Sequence, residues 1–275
     1  MFTIFTIPKS FTNQHINIIQ KNAINSWKKL IPQPEIILIG DDPGIAETAR
    51  ELEVKHIPGV QCNKYGTPLL DHAFCLARQN AKYNTLAFIN ADIITLPNFT
   101  NILKHLPQKE YLILGERYDL DQTELIAFND NDWDKKMWQN LQTRGKKHPP
   151  EGSDYFIFDK NSFQNIPSFA VGRVGWDNWM IYHAKKEGII TIDASPVATI
   201  IHQNHDYSHH VKGQKDKRDP ETQINVKLTR QDGFCFLDET EWLITERGMK
   251  KRWFPKKAKI KRKFRGYLKK IKKIL

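Results

Sequence analysis

Cysteine is scarce in this chain. Its 275 residues hold three, Cys62, Cys75 and Cys235, an odd number without CxxC spacing. That excludes a disulfide framework and a cysteine zinc site, and it fits a reducing compartment. Long apolar runs are missing as well, for no window approaches the ~20 apolar residues that a membrane-spanning helix needs. The opening stretch, Met1 to Pro8, has no basic segment ahead of its apolar residues and no small-residue cleavage site. It is therefore expected to be a strand and not a signal peptide, with the mature protein beginning where the sequence does. With 40% hydrophobic and 27% charged residues, a wholly disordered chain is excluded, and the length suits one large domain or two small ones.

Acidic residues are absent from the last stretch. Between Lys250 and Leu275 there are 14 Lys and Arg and no acid, whereas the other 249 residues carry 28 basic against 31 acidic, a net of −3. Ile260, Phe264, Leu268, Ile271 and Leu275 recur at helical spacing within it, giving an apolar stripe among cations. An anionic membrane surface is the expected partner of 250–275: lipid headgroups attract each basic residue by ~1 kcal/mol, and the stripe enters the headgroup boundary. A simply solvated tail ranks second. Nucleic acid is a distant third, since it leaves the stripe without a role and the rest of the chain carries no nucleic-acid motif.

Periodicity predicts strands over 2–7, 35–39, 54–56, 86–90, 111–115, 155–158, 189–193 and 198–201, and helices over 12–30, 45–52, 69–80, 133–143 and 176–187. The segments 144–152 and 203–220 read as loops. Strands alternating with helices imply a mostly parallel sheet covered on both faces, with ligands beyond the carboxyl ends of the strands. The residues just after strands, Pro8-Lys9, Asp41-Asp42 and Ala91-Asp92, are thus the ones to inspect.

Several motifs stand in a telling order: Asp41-Asp42 after a strand, Asn63 and Gly66 in the next loop, and then Leu86 to Asp92 ending in Asn90-Ala91-Asp92. Further on come Glu151-Gly152-Ser153-Asp154, Gly175-Trp176-Asp177-Asn178-Trp179 and Ile201-His202-Gln203-Asn204-His205. Over roughly residues 1–210 this set resembles the GT-A fold glycosyltransferases of the family-2-like group, whose glycine loop, catalytic acidic motif and C-terminal histidine follow the same order. The resemblance implies an α/β fold with a mixed, mostly parallel, Rossmann-like sheet flanked by helices. It implies one catalytic domain over 1–249, with a donor-nucleotide half at about 1–115 and an acceptor half at about 116–249, followed by the basic tail 250–275.

By the same resemblance, the donor is a UDP- or GDP-linked sugar bound around Pro8, Asp41, Asp42, Lys64, Asn90, Ala91 and Asp92. A departing diphosphate needs a divalent cation, and a hard carboxylate oxygen suits Mn2+ or Mg2+. Asp92 is the implied ligand, completed by His202, with His205 as the fallback, while Asn90 stands where the family's first aspartate sits. Locally, Asp-Asp-Pro-Gly is also a good β-turn. Asp177, near a helix start whose dipole favours an ionised acid, is the implied catalytic base of an inverting transfer. Gly152, Ser153 and Asp154 are expected to line the sugar or acceptor, and Trp176 and Trp179 to offer a stacking wall, although tryptophans at that spacing also suit a core. Arg117 is either a phosphate clamp or a surface ion-pair partner.

The expected activity is metal-dependent transfer of a hexosyl-type sugar to a hydroxyl of a glycan or lipid-linked acceptor, on the cytoplasmic face of a membrane. Two other classes stay open. A sugar-nucleotide nucleotidyltransferase would carry a glycine-rich basic loop where this chain has Pro8-Lys9-Ser10-Phe11. A non-catalytic adaptor on a transferase-like fold would explain the tail but not the acids.

Overall fold

The computed structural model describes residues 1–205 and 219–252. In chain order its strands are β1 (Thr3–Thr6), β2 (Glu35–Ile39), β3 (Lys55–Ile57), β4 (Thr85–Ile89), β5 (Ile93–Thr95), β6 (Tyr111–Leu114), β7 (Tyr118–Leu120), β8 (Lys146–Lys147), β9 (Tyr155–Asp159), β10 (Ile190–Asp193), β11 (Ile200–Gln203), β12 (Trp242–Thr245) and β13 (Gly248–Lys251). The helices are α1 (Gln14–Lys28), α2 (Ile45–Glu51), α3 (Leu70–Asn80), α4 (Trp133–Arg144), α5 (Trp176–Lys186) and α6 (Pro220–Asp232). Asp206, Tyr207, His209 and His210, and the basic stretch from 253 onward, lie outside the described residues.

Among the described residues, nine strands form the main sheet in the order β13-β12-β10-β6-β9-β4-β1-β2-β3. All neighbours are parallel except where β9 and β13 enter, each antiparallel to its partners. Interior strands such as Glu35–Ile39 and Thr85–Ile89 are almost wholly apolar and buried, as a sheet covered on both faces requires. One layer packs Ile24 and Trp27 of α1 and Ile45 and Ala49 of α2 on the sheet. The other packs Phe74 of α3 and Met180 of α5 on its far side. This is the α/β architecture, a mixed and mostly parallel sheet flanked by helices, that the alternation of strands and helices implied.

A second sheet, ordered β5-β11-β7-β8, stands beside the first. It rests on a small core of Leu120, Trp133, Met137, Leu141 and Ile201. Trp27 ties it to the main domain by donating from Nε1 to the Ile93 carbonyl at 2.9 Å.

Several elements differ from expectation. α1 begins at Gln14 and not Thr12, because Asn13 caps it by accepting from the Ile16 amide at 3.0 Å. β5 and β7 have three residues each, too few to show a period, and they exist through long-range pairing alone. Lys250 and Lys251, counted with the basic tail, pair with Leu243 and Trp242 in the β12–β13 hairpin. Arg252 then donates its amide to Glu241 at 2.8 Å and pairs its guanidinium with buried Asp193. The folded body thus extends through Arg252.

Candidate active site

β1, β2, β4, β6 and β10 point their carboxyl ends to one edge of the main sheet. Antiparallel β9 brings its start to the same edge, with Tyr155 opposite Ile89. A cavity of about 830 Å³ opens there, lined by residues that follow β1, β2, β4 and β6, by α1, by the segment before β9 and by the start of α5. That size falls within the range of small-molecule sites.

Pro8, Asp42, Asn90, Ala91, Asp92, Gly152, Ser153, Asp154, Trp176, Asp177, His202 and His205 all reach this cavity. Three expected residues do not. Asp41 turns away to accept the Gly59 amide at 2.8 Å, which is the turn chemistry its local sequence offers. Lys64 is exposed, with its ammonium 5.0 Å from the Tyr65 ring centroid. Trp179 is 1% exposed, stacked on His183, edge-on to Phe169, and donating from Nε1 to Asp232 at 3.0 Å. It is a core residue because α5 turns that side of its first turn inward, so no stacking wall forms there. Trp176 packs mainly against Phe88 and Phe156 and touches the cavity at its edge.

Asp92, His202 and His205 offer ligand atoms within 4.8 Å of one another. His205 Nε2 lies 3.1 Å and His202 Nε2 3.6 Å from Asp92 Oδ2. Burial alone would raise the Asp92 carboxyl, but the His202 charge and the hydrogen bonds from both imidazoles hold it well below the usual carboxylate range. Burial would likewise lower His202, yet Asp92 and Asp119 push it up to about 9. The remaining oxygen, Asp92 Oδ1, is buried without a hydrogen-bond partner among the described residues. An orphaned carboxylate oxygen beside two imidazoles fits a divalent cation, whose coordination would satisfy it.

Asn90 is used differently. Its amide side chain donates to Asp154 Oδ1 at 2.8 Å, and its backbone amide donates to the Asp154 carbonyl at 2.9 Å. It therefore braces β4 against the start of β9. Arg117 pairs with Asp119 at 2.9 Å and Asp154 at 2.6 Å while its side chain is only 13% exposed, so it is a buried ion-pair partner and its fork is taken.

Asp177 sits half-buried in the first turn of α5, on the cavity wall. Burial pushes its carboxyl up to about 6 and the Asp154 charge adds to this, against hydrogen bonds from the amides of Asn178, Ser153 and Gly175. Gly175 begins the helix at φ 108°, and a Cβ there would lie 2.7 Å from Thr229 Oγ1. That hydroxyl is committed to the Asn225 carbonyl at 2.8 Å. Gly175→Ala is therefore expected to lose about 2 kcal/mol, from left-handed backbone strain and the clash, read as a fall of several degrees in thermal midpoint.

Arg173, 10% exposed, pairs with Asp219 at 3.3 Å and Glu221 at 2.5 Å, and Asn63 donates to Glu221 at 2.6 Å. The start of α6 thus locks the 63–67 and 170–175 loops together at the cavity rim. Nothing local in Asn63 or Arg173 announces this, because their partners are about 50 to 160 residues away.

Fold and site together give an α/β protein with a cavity at the carboxyl ends of its strands, an acid–imidazole cluster that could hold a cation on one wall and an acid whose carboxyl is raised by burial on another. Among known proteins, no family model and no curated protein matches the chain. Among solved structures, it is similar to glucosyl-3-phosphoglycerate synthase from Mycobacterium tuberculosis in complex with Mn2+, UDP and phosphoglyceric acid, at 13% identity over 86% of this chain and 79% of that one, TM-score 0.48. The same enzyme with Mg2+ and UDP gives 13% identity over 86% and 80%, TM-score 0.47. A mannosyltransferase from Pyrobaculum calidifontis in complex with GDP-Man and Mn2+ gives 12% identity over 77% and 59%, TM-score 0.45.

Proposed function

We propose that this chain is a metal-dependent glycosyltransferase moving a sugar from a nucleoside diphosphate to a hydroxyl acceptor. The observation that carries the reading is the shared cavity: Asp92 with its orphaned oxygen and two imidazoles, and Asp177 with a carboxyl near neutrality, line the same space. Asp92, His202 and His205 would hold Mn2+ or Mg2+, which would neutralise charge on the departing diphosphate. Pro8, Asp42 and the Asn90–Asp92 segment line the donor side, and Gly152 to Asp154 the sugar side.

Asp177 takes the proton of the acceptor hydroxyl as that oxygen bonds to the anomeric carbon. The carbon's bond to the diphosphate oxygen breaks with its electron pair leaving on the phosphate. One carboxylate base suffices, which supports inversion, and a carboxyl poised near 6 is ionised at neutral pH yet basic enough to accept a proton. Asp154 is held by Arg117 and Asn90 and is not available for that task. No described helix is long and apolar enough to cross a membrane. The basic, amphipathic stretch after Arg252 would instead hold the domain on an anionic cytoplasmic surface, near a lipid-linked acceptor.

Calorimetric titration with UDP and GDP, with and without Mn2+, tests this reading. Micromolar binding that requires the metal is expected for one nucleotide, with no pyrophosphate released from any nucleoside triphosphate. Absence of binding to both would overturn it. Removal of 253–275, leaving the β12–β13 hairpin and Arg252 intact, should abolish cosedimentation with phosphatidylserine vesicles while shifting the thermal midpoint by less than about 2 °C. Unchanged sedimentation would remove the membrane role.

A further inference from the structure

The second sheet does more than present His202. β11 lies between β5 and β7, placing His202 opposite Ile93 on one side and Asp119 on the other. Laterally paired residues project to the same face of a sheet, so the Asp119 carboxylate stands beside the imidazole. His202 Nε2 faces Asp92 at 3.6 Å, while Nδ1 faces Asp119 Oδ1 at 3.4 Å. Nδ1 is buried and has no hydrogen bond of ordinary length among the described residues.

Asp119 is itself held. Arg117 Nε donates to its Oδ1 at 2.9 Å, Arg117 Nη1 donates to Asp154 Oδ2 at 2.6 Å, and Asn90 Nδ2 donates to Asp154 Oδ1 at 2.8 Å. Ser153, the neighbour of Asp154, gives its amide to Asp177. A polar path of buried and partly buried groups therefore joins the histidine to the wall that carries Asp177.

We propose that Asp119 is the positioning residue of His202: it accepts the Nδ1–H bond, fixes the ring, and leaves Nε2 as the nitrogen offered to a divalent cation, while Arg117 holds Asp119 in place. This rests on the metal reading given above. A ligating histidine that donates its other N–H to a carboxylate is fixed in tautomer and orientation and becomes a stronger ligand, and loss of such a partner costs about 10- to 100-fold in metal affinity.

The test is Mn2+ titration of the full-length protein, followed by the paramagnetic resonance of the free ion, for wild type, Asp119→Asn and Asp119→Leu. Both variants are close to aspartate in size, but only asparagine keeps an acceptor oxygen. Asparagine is expected within about threefold of wild type and leucine about 10- to 100-fold weaker. Should leucine beside Arg117 prevent folding, Asp119→Ser, whose shorter side chain withdraws the acceptor, takes its place. Equal loss in both variants would mean that charge and not orientation matters, and no loss in either would mean that His202 needs no such partner; each overturns the proposal. A wild type that binds no Mn2+ would instead overturn the metal reading, and this inference with it.

Discussion

Asp177→Asn is expected to reduce transfer at least about 10³-fold while leaving nucleotide affinity within about threefold, because in the proposed mechanism the lost group acts on the acceptor proton and not on the donor. In the unaltered protein, the rate should fall about tenfold per pH unit below about 6, where the carboxyl protonates. Any residual rate of the variant should lack that limb. A stability measurement gives an independent check. An acid whose carboxyl is raised by folding from 3.8 to about 6 contributes no penalty below pH ~4, and stability is lost as pH rises through about 6. Asparagine mimics the uncharged form. The variant should therefore be more stable than wild type at pH 8, by an amount on the order of 2 kcal/mol after allowance for partial solvent access, and equal to it at pH 4. Equal loss of nucleotide binding and turnover would mean a structural role for Asp177.

Asp92→Ala is expected to abolish metal-dependent nucleotide binding, a loss of at least about 100-fold, because it removes the carboxylate common to both imidazole contacts. His202→Ala should lose less, since Asp92 and His205 stay within reach of one another. The proposed donor set of one carboxylate and two imidazoles would also give a preference. Mn2+ should support binding at lower concentration than Mg2+, which favours oxygen ligands. Calorimetry across both ions checks the order, and activity indifferent to chelator would remove the metal from the mechanism.

Much of this was legible along the chain. The buried strands Glu35–Ile39 and Thr85–Ile89 are continuous apolar runs closed by turn residues, and such runs read directly as interior strands. The positions after them, Asp42 and Asn90 to Asp92, reach the cavity because β2 and β4 both run parallel to β1 and send their carboxyl ends to one edge. Tryptophan was harder to place. Trp176 and Trp179 lie three residues apart on one helix, and that spacing suits a binding wall and a core equally. Only the position of α5 against Phe88 and Phe169 decided for the core.

Local order along the chain determined the alternation of strands and helices, the separation of a near-neutral body from a basic end, and the residue types suited to cation and proton chemistry. These are legible because hydrophobic period and charge are properties of neighbours in sequence. Tertiary structure alone decided that Asn90 binds Asp154, that Arg117 is spent on two acids, that Asp41 and Lys64 leave the cavity, and that Asp119 stands beside His202. The physical reason is that β5, β7 and β11 are too short to be stable or recognisable alone. They form only when segments about 80 to 110 residues apart pair, and that pairing creates the geometry on which the site depends.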